Sequence, residues 1–355
     1  MVSFTSRLDE FMKLFLLALL SLAVLAAHSC GQGQSTGPAT SQPSAGPLDH
    51  YALQGNVQFV HDPSIIRQAQ TYYVFSTDHD PSDHLTIRCS TDRQNWKICG
   101  HVFDSIPQWI VTKLPAIQNL WAPDISYFSD KYHLYYAASV FGKNTSVIGL
   151  ATNVTLDPDS PDYKWVDQGE VVESTTGDDF NTIDPNLLDD GDNGVWLTFG
   201  SFWTGIKQRS IDKNSGLLSP SNNILYSLAR RPISDSLPDA IEAPFVVHHG
   251  AYYYLFVSFD FCCRGANSTY RIMVGRSTSV NGPYADMNNV PMLEGGATEL
   301  LRGNAQWAGP GGQSVLLDPE LGDLIVFHAY AASDGTPWLH ANSLQWVNDW
   351  PIIAP

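Results

Sequence analysis

The chain has 355 residues, 43% of them hydrophobic and 12% aromatic, enough apolar material to bury a full core in one large domain or two average ones. With 19 Lys and Arg against 36 Asp and Glu its net charge is −17, which argues against nucleic acid or an anionic membrane surface as partner and suits a neutral ligand. Charged residues are only 15% of the chain, so the polar surface rests on Ser, Thr, Asn and Gly, as in secreted proteins.

At the start, Met12-Lys13 precedes an apolar run from Leu14 to Ala27 that closes on small residues. Residues 1–30 are therefore expected to be a signal peptide, with Met1 and Met12 as alternative starts. The run is too short for a comfortable membrane span. Residues 31–47 are mostly Gly, Gln, Ser, Thr and Pro, the composition of a disordered linker.

From residue 48 to 355 one phrase recurs five times, at intervals of about sixty residues. An acid or glycine beside a proline leads into apolar residues and then an aromatic strand. The copies are His61-Asp62-Pro63-Ser64-Ile65-Ile66 with Tyr72-Tyr73-Val74-Phe75, and Ala122-Pro123-Asp124-Ile125 with Tyr132-His133-Leu134-Tyr135-Tyr136. Next come Ile183-Asp184-Pro185-Asn186-Leu187 with Val195-Trp196-Leu197-Thr198-Phe199, and Ile241-Glu242-Ala243-Pro244-Phe245 with Tyr252-Tyr253-Tyr254-Leu255-Phe256. The fifth, Gly309-Pro310-Gly311-Gly312 with Leu324-Ile325-Val326-Phe327-His328, lacks an acid. Each unit continues through further short alternating stretches bounded by turn residues, to roughly four strands. The fold class expected is all-β, a five-bladed β-propeller with its active site at one end of the axial channel. A β-helix has shorter repeats, and paired sandwiches do not recur at this period.

Three acceptor sequons lie along these units, at Asn144, Asn153 and Asn267, consistent with a glycosylated secreted protein. Cys89 and Cys99 flank Asp92 to Trp96 and would staple a hairpin in an oxidising compartment, while adjacent Cys262 and Cys263 are candidates for a vicinal disulfide.

Asp62, Asp124, Asp184 and Glu242 sit beside prolines in apolar flanks, where a carboxylate is costly unless used or paired. Alone, each is a turn-capping residue. Four in register suggest glycoside hydrolysis of a neutral substrate, which needs one acid to protonate the leaving oxygen and another to activate water or attack the sugar. Calcium is the rival use of clustered oxygens, but the nearest loop, Asp189-Asp190-Gly191-Asp192-Asn193-Gly194, is better explained as a hairpin turn. Trp109, Trp121, Phe202, Trp203, Phe259 and Trp307 fall near the same face, to stack on sugar or to pack between blades.

The set Val60-His61-Asp62-Pro63, Leu120-Trp121-Ala122-Pro123-Asp124, Thr182-Ile183-Asp184-Pro185-Asn186, Gly200-Ser201-Phe202-Trp203, Ile241-Glu242-Ala243-Pro244, Phe261-Cys262-Cys263-Arg264-Gly265 and Phe327-His328-Ala329-Tyr330 resembles the endo-1,5-α-L-arabinanases of glycoside hydrolase family 43. The resemblance spans all five units. It implies Asp62 as general base, Glu242 as general acid and Asp184 as the residue that adjusts the pKa of Glu242 and orients the sugar. The implied mechanism is inverting, with Asp62 and Glu242 roughly 6.5–9.5 Å apart. It also implies substrate contacts from Trp121, Asp124, Asn181, Ser201, Phe202 and Arg264, and one axial calcium ion near His328, held directly or through water. The expected activity is a secreted, monomeric hydrolase of linear or debranched arabinan. The alternatives are an exo-acting arabinofuranosidase or β-xylosidase of the same family, and a non-catalytic glycan-binding propeller. The chain's end at Pro355 leaves no room for the extra domain that blocks the groove in some exo enzymes, which favours an open cleft.

Overall fold

The computed structural model describes residues 52–79, 84–232 and 239–354. The expected signal peptide and linker lie outside them. Among the described residues, twenty-one strands form five sheets. The first blade holds β1 (Gln54–Gly55), β2 (Ser64–Gln68), β3 (Thr71–Phe75), β4 (His84–Ser90) and β5 (Asn95–Phe103). A helix, α1 (Gln108–Lys113), leads to the second blade, β6 (Trp121–Phe128), β7 (Lys131–Ser139), β8 (Ser146–Asn153) and β9 (Val166–Ser174). The third comprises β10 (Asn186–Asp189), β11 (Val195–Phe199), β12 (Ile206–Ile211) and β13 (Tyr226–Ala229). The fourth is β14 (Ile241–His249), β15 (Tyr252–Phe259), β16 (Arg271–Ser277) and β17 (Thr298–Arg302). The fifth is β18 (Trp307–Leu316), β19 (Leu324–Ala331), β20 (Pro337–Val347) and β21 (Trp350–Ile353). The chain is thus the expected five-bladed β-propeller, each blade an antiparallel meander apart from the parallel β1–β5 pair. No helix of the described residues is long and apolar enough to cross a membrane.

The second strand of every blade is apolar along almost its whole length rather than alternating, as in Tyr252–Phe259. A blade has a neighbour against each face, so both faces of its inner strands are covered. The resulting cores lie between blades: Phe75, Leu85 and Tyr136 fill one, and Tyr254, Phe256 and Phe327 another.

The repeated phrase has a common backbone form. Asp62, Ala122, Asp184, Ala243 and Gly312 all have left-handed φ, at 48°, 42°, 56°, 50° and 58°. Pro63, Pro123, Pro185, Pro244 and Gln313 follow them, and in the second, fourth and fifth blades the same two residues form a bulge in the strand register. The register corrects two expectations. Only Asp62 and Asp184 are truly equivalent, since Glu242 lies one residue earlier and Asp124 two later. The fifth copy is centred on Gly312, not on Gly309-Pro310. A Cβ on Gly312 would stand 2.5 Å from Asp62 Oδ1 and 2.9 Å from His328, so this position must be glycine.

The next residue in each copy joins its blade to the following one. Ser64 Oγ accepts the Ile125 N–H at 3.1 Å, Asp124 Oδ2 that of Leu187 at 2.7 Å, Asn186 Oδ1 that of Val246 at 2.8 Å, and Ser314 Oγ that of Ile65 at 3.1 Å. The fourth blade carries Phe245 here, and its joint uses other groups. Ser258 Oγ accepts the Gly312 N–H at 3.0 Å, and Gln313 Nε2 donates to the Ala243 carbonyl at 2.7 Å.

The segment before β2 closes the ring. Phe59 N–H donates to the Pro337 carbonyl at 2.7 Å and Leu339 N–H to that of Val57 at 2.8 Å, tying the fifth blade to the start of the first. Buried Arg88 donates from Nε to the Asn56 carbonyl at 2.8 Å and from Nη1 to Ser76 Oγ at 2.8 Å, fixing the same segment to β4. Cys89 and Cys99 form a disulfide between β4 and β5.

Candidate active site

Asp62, Asp184 and Glu242 meet at the end of the axial channel where the innermost strands begin. Below them is a cavity of about 30 Å³, lined by Asp62, Asp124, Asp184, the four prolines Pro63, Pro123, Pro185 and Pro244, and Gly312. It has room for a water molecule or two.

Each acid has different partners. Asp62 Oδ2 accepts from Thr77 Oγ1 at 2.6 Å, and that hydroxyl accepts the Ala122 N–H at 2.8 Å. The Asp62 N–H donates to His328 Nδ1 at 3.1 Å. Asp184 Oδ2 accepts the N–H of Ala243, the residue after Glu242, at 3.0 Å. Glu242 accepts from Ser201 Oγ at 2.6 Å on Oε2 and from the Tyr270 hydroxyl on Oε1.

Burial raises the pKa of all three. For Asp62 it is opposed by His61 and the Thr77 hydrogen bond. For Glu242 it is opposed by the Ser201 and Tyr270 hydroxyls and assisted by the charge of Asp62. Asp184 is pushed well above the carboxylate range by burial and then by repulsion from Glu242 and Asp62. Three carboxyls this close cannot all ionise cheaply, so the cluster favours retaining a proton. Asp62 is half-buried while Glu242 is buried, so Asp62 is the better hydrated of the two.

Other expected site residues are placed differently. Asp124 is buried, and its oxygens are occupied by Leu187 N–H and Ser64 Oγ, so it belongs to the blade joint and is not a substrate contact. With burial outweighing those bonds, its pKa is raised to about 7. Asn181 is buried with Oδ1 accepting from Ser146 Oγ at 2.6 Å. Ser201 is engaged by Glu242. Trp121, half-buried, packs between the second and third blades, at the position Glu242 holds in the fourth. Phe202 faces Phe261 with ring centroids 6.1 Å apart, and exposed Arg264 lies 3.9 Å over the Phe261 ring. Of the other aromatics, Phe259 is buried beneath Arg231 and Arg271, and the Trp109 indole donates to Asp167.

Two sequons are also corrected. Asn144 is buried, its Nδ2 donating to the carbonyls of Thr175, Asp178 and Phe180, and Asn153 is buried with Oδ1 accepting from Thr155 and Lys164. Neither amide is open to a glycan. Asn267 is exposed. Cys262 and Cys263 are joined as a vicinal disulfide.

Two supports of the acids were not legible in the sequence, Thr77 beside Asp62 and Tyr270 beside Glu242. Tyr270 directly follows the Asn267-Ser268-Thr269 sequon at the start of an apolar strand, and Thr77 comes just after an aromatic one; neither place carries a local signal of its role.

Residues 56–351 match the model of the family described as "Glycosyl hydrolases family 43". The chain belongs to glycosyl hydrolase family 43. The chain is 42% identical to an extracellular endo-α-(1→5)-L-arabinanase of Bacillus subtilis, over 87% of this chain and 92% of the relative. It is 41% identical to an extracellular exo-α-(1→5)-L-arabinofuranosidase of Cellvibrio japonicus, over 83% of this chain and 86% of that one. Among solved structures, the family 43 endo-arabinanase of Bacillus licheniformis superposes with a TM-score of 0.77 at 43% identity, covering 85% of this chain and 99% of that one.

His328 does not fit direct ligation of the calcium ion expected from family resemblance. Its Nδ1 lone pair is engaged by the Asp62 N–H, which leaves the proton on Nε2, a buried atom with no protein partner. Burial, then His61 and His340, hold the ring neutral. It therefore offers the axis a donor, suited to a water molecule and not to a hard cation. No group of three or more His, Cys, Asp or Glu among the described residues is arranged to hold a metal.

Proposed function

We propose that this family 43 hydrolase is a secreted enzyme that cleaves internal α-1,5-L-arabinofuranosyl linkages of arabinan with inversion. The convergence of Asp62, Asp184 and Glu242 in three unlike environments carries the reading. The printed names of the relatives supply the substrate, and those from Bacillus subtilis and Cellvibrio japonicus are named extracellular.

Asp62, the more hydrated acid and an acceptor from Thr77, takes a proton from water as the water oxygen attacks the anomeric carbon. Glu242, enclosed and repelled by Asp62, keeps its proton and delivers it to the departing glycosidic oxygen. Asp184 holds the Ala243 N–H, fixes the backbone behind Glu242 and adds like charge nearby. Solvent then restores both protonation states.

The test is hydrolysis of linear arabinan by the wild type and by Glu242→Ala. The variant is expected to fold and to lose about 10²–10⁴-fold in turnover; wild-type activity would overturn the assignment. Since an exo-acting relative is almost as similar as an endo-acting one, the early products decide the mode of attack. Short oligomers support internal cleavage, and arabinose alone would replace it with the exo reading.

A further inference from the structure

Between β15 and β16, residues 260–270 form a loop that touches the supports of both the acid and the base. The Phe261 N–H donates to Thr269 Oγ1 at 3.2 Å and the Thr269 N–H to the Phe261 carbonyl at 2.8 Å, closing the loop on itself. On its exit side, the Tyr270 hydroxyl donates to Glu242. On its entry side is the Cys262–Cys263 disulfide, and the Cys263 N–H donates to Tyr330 Oη at 2.9 Å. Tyr330 is buried on β19, its ring edge-on to His61 at 5.3 Å and to His328 at 5.4 Å. His328 in turn accepts the Asp62 N–H.

Cys263 has a φ of 64°, a conformation disfavoured for a residue with a Cβ. The bond to its sequence neighbour restrains it there and so aims its N–H at Tyr330. Cys263 is exposed while Cys262 is half-buried, so a solvent thiol can reach the pair.

We propose that the Cys262–Cys263 disulfide is a positioning brace for the catalytic carboxylates, and that a small dithiol releases it and slows turnover. One thiolate of the dithiol attacks the exposed Cys263 sulfur, breaking the bond and freeing the Cys262 thiolate. The second thiol closes on the mixed disulfide, freeing Cys263; the dithiol leaves as a cyclic disulfide and its two protons end on the two cysteines. Cys263 can then take an ordinary φ and withdraw its N–H from Tyr330. The loop between Tyr330 and Tyr270 loosens, and more water reaches Asp62, which is faced by His61, His328, Asp184, Glu242, Tyr270 and Tyr330. This inference rests on the proposed hydrolytic function of the same site.

The experiment measures kcat and the pH profile of kcat/KM on linear arabinan before and after dithiothreitol, with free thiols counted by alkylation and intact mass. Wild type and Cys89→Ser/Cys99→Ser are expected to lose kcat several-fold on reduction, and hydration of Asp62 moves the acidic limb to lower pH. Cys262→Ser/Cys263→Ser should match the reduced wild type and ignore dithiothreitol. Tyr330→Phe removes the oxygen that receives the Cys263 N–H but keeps the disulfide, and should show the same limb shift even if the double serine variant fails to fold. Unchanged kcat and pH profile in an active enzyme whose Cys262–Cys263 thiols are shown to be free would overturn the brace alone. Loss confined to the reduced Cys89–Cys99 pair would do so too. If the oxidised wild type does not cut arabinan at all, the functional reading itself has failed and the brace falls with it.

Discussion

At the scale of single residues, chemistry follows from shifts of one or two residues within a repeated backbone. Asp62 and Asp184 share the left-handed position, Glu242 lies one residue before it and Asp124 two after it. That step moves a carboxylate from the channel mouth into a blade joint, where Asp124 serves as an acceptor for Leu187. The sequence made the four acids visible and the family resemblance set Asp124 apart from the catalytic three, yet its place in a blade joint was not legible, because the bulge that sets the register depends on pairing across the blade. Glu242 illustrates how neighbours tune one acid. Ser201 and Tyr270 stabilise its charged form and so hold its pKa down against burial. Removing one donor in Ser201→Ala should raise the Glu242 pKa. A general acid works while protonated, so the alkaline limb of kcat/KM should move to higher pH, with lower activity if Glu242 is also misaligned. A limb that stays in place or moves to lower pH would mean that the alkaline limb belongs to another group.

At the scale of the elements, the blades were legible because short strands at a fixed long period have few other architectures available. The helix α1 was not, since six residues give too little periodicity to register. Nor were the joints legible. Ser64, Asp124, Asn186 and Ser314 are different residue types with one task, accepting an N–H from the neighbouring blade, and only the three-dimensional register reveals them as a set. The same register explains the two buried sequons: Asn144 and Asn153 have the motif, but their side chains satisfy backbone groups of adjoining turns. The joint predicts a clean stability effect. Asn186→Ala leaves the Val246 N–H without its acceptor in a buried site, which should cost about 1–3 kcal/mol in urea unfolding. A change of less than a few tenths would show that water or a shifted backbone replaces the bond, and that the joint contributes little.

For the whole molecule, the decisive question is how a ring of five blades stays shut. Neighbouring blades elsewhere are covalently consecutive, but the fifth meets the first only through non-covalent contacts. Here the closure is made by a short N-terminal segment, whose Gln58 forms a single antiparallel bridge with Trp338 of β20. Val57 and Phe59 bond to Leu339 and Pro337 on one side, while Asn56 is held by Arg88 on the other. Val57 and Val60 also enter the apolar cluster between Val74, Val326 and Leu339. Removing residues 52–60 together with everything before them would strip these bonds, uncover that cluster and take from buried Arg88 the Asn56 carbonyl that its Nε donates to. Asp62 stands next to the deleted segment, and its N–H must stay aligned with His328. The shortened chain is therefore expected to unfold at markedly lower temperature and over a broader range, and to lose arabinan hydrolysis more steeply than secondary structure. Calorimetry and circular dichroism on chains beginning at residue 52 and at residue 61 provide the comparison. If both melt sharply at the same temperature, the fifth and first blades hold each other directly and the N-terminal clasp is dispensable.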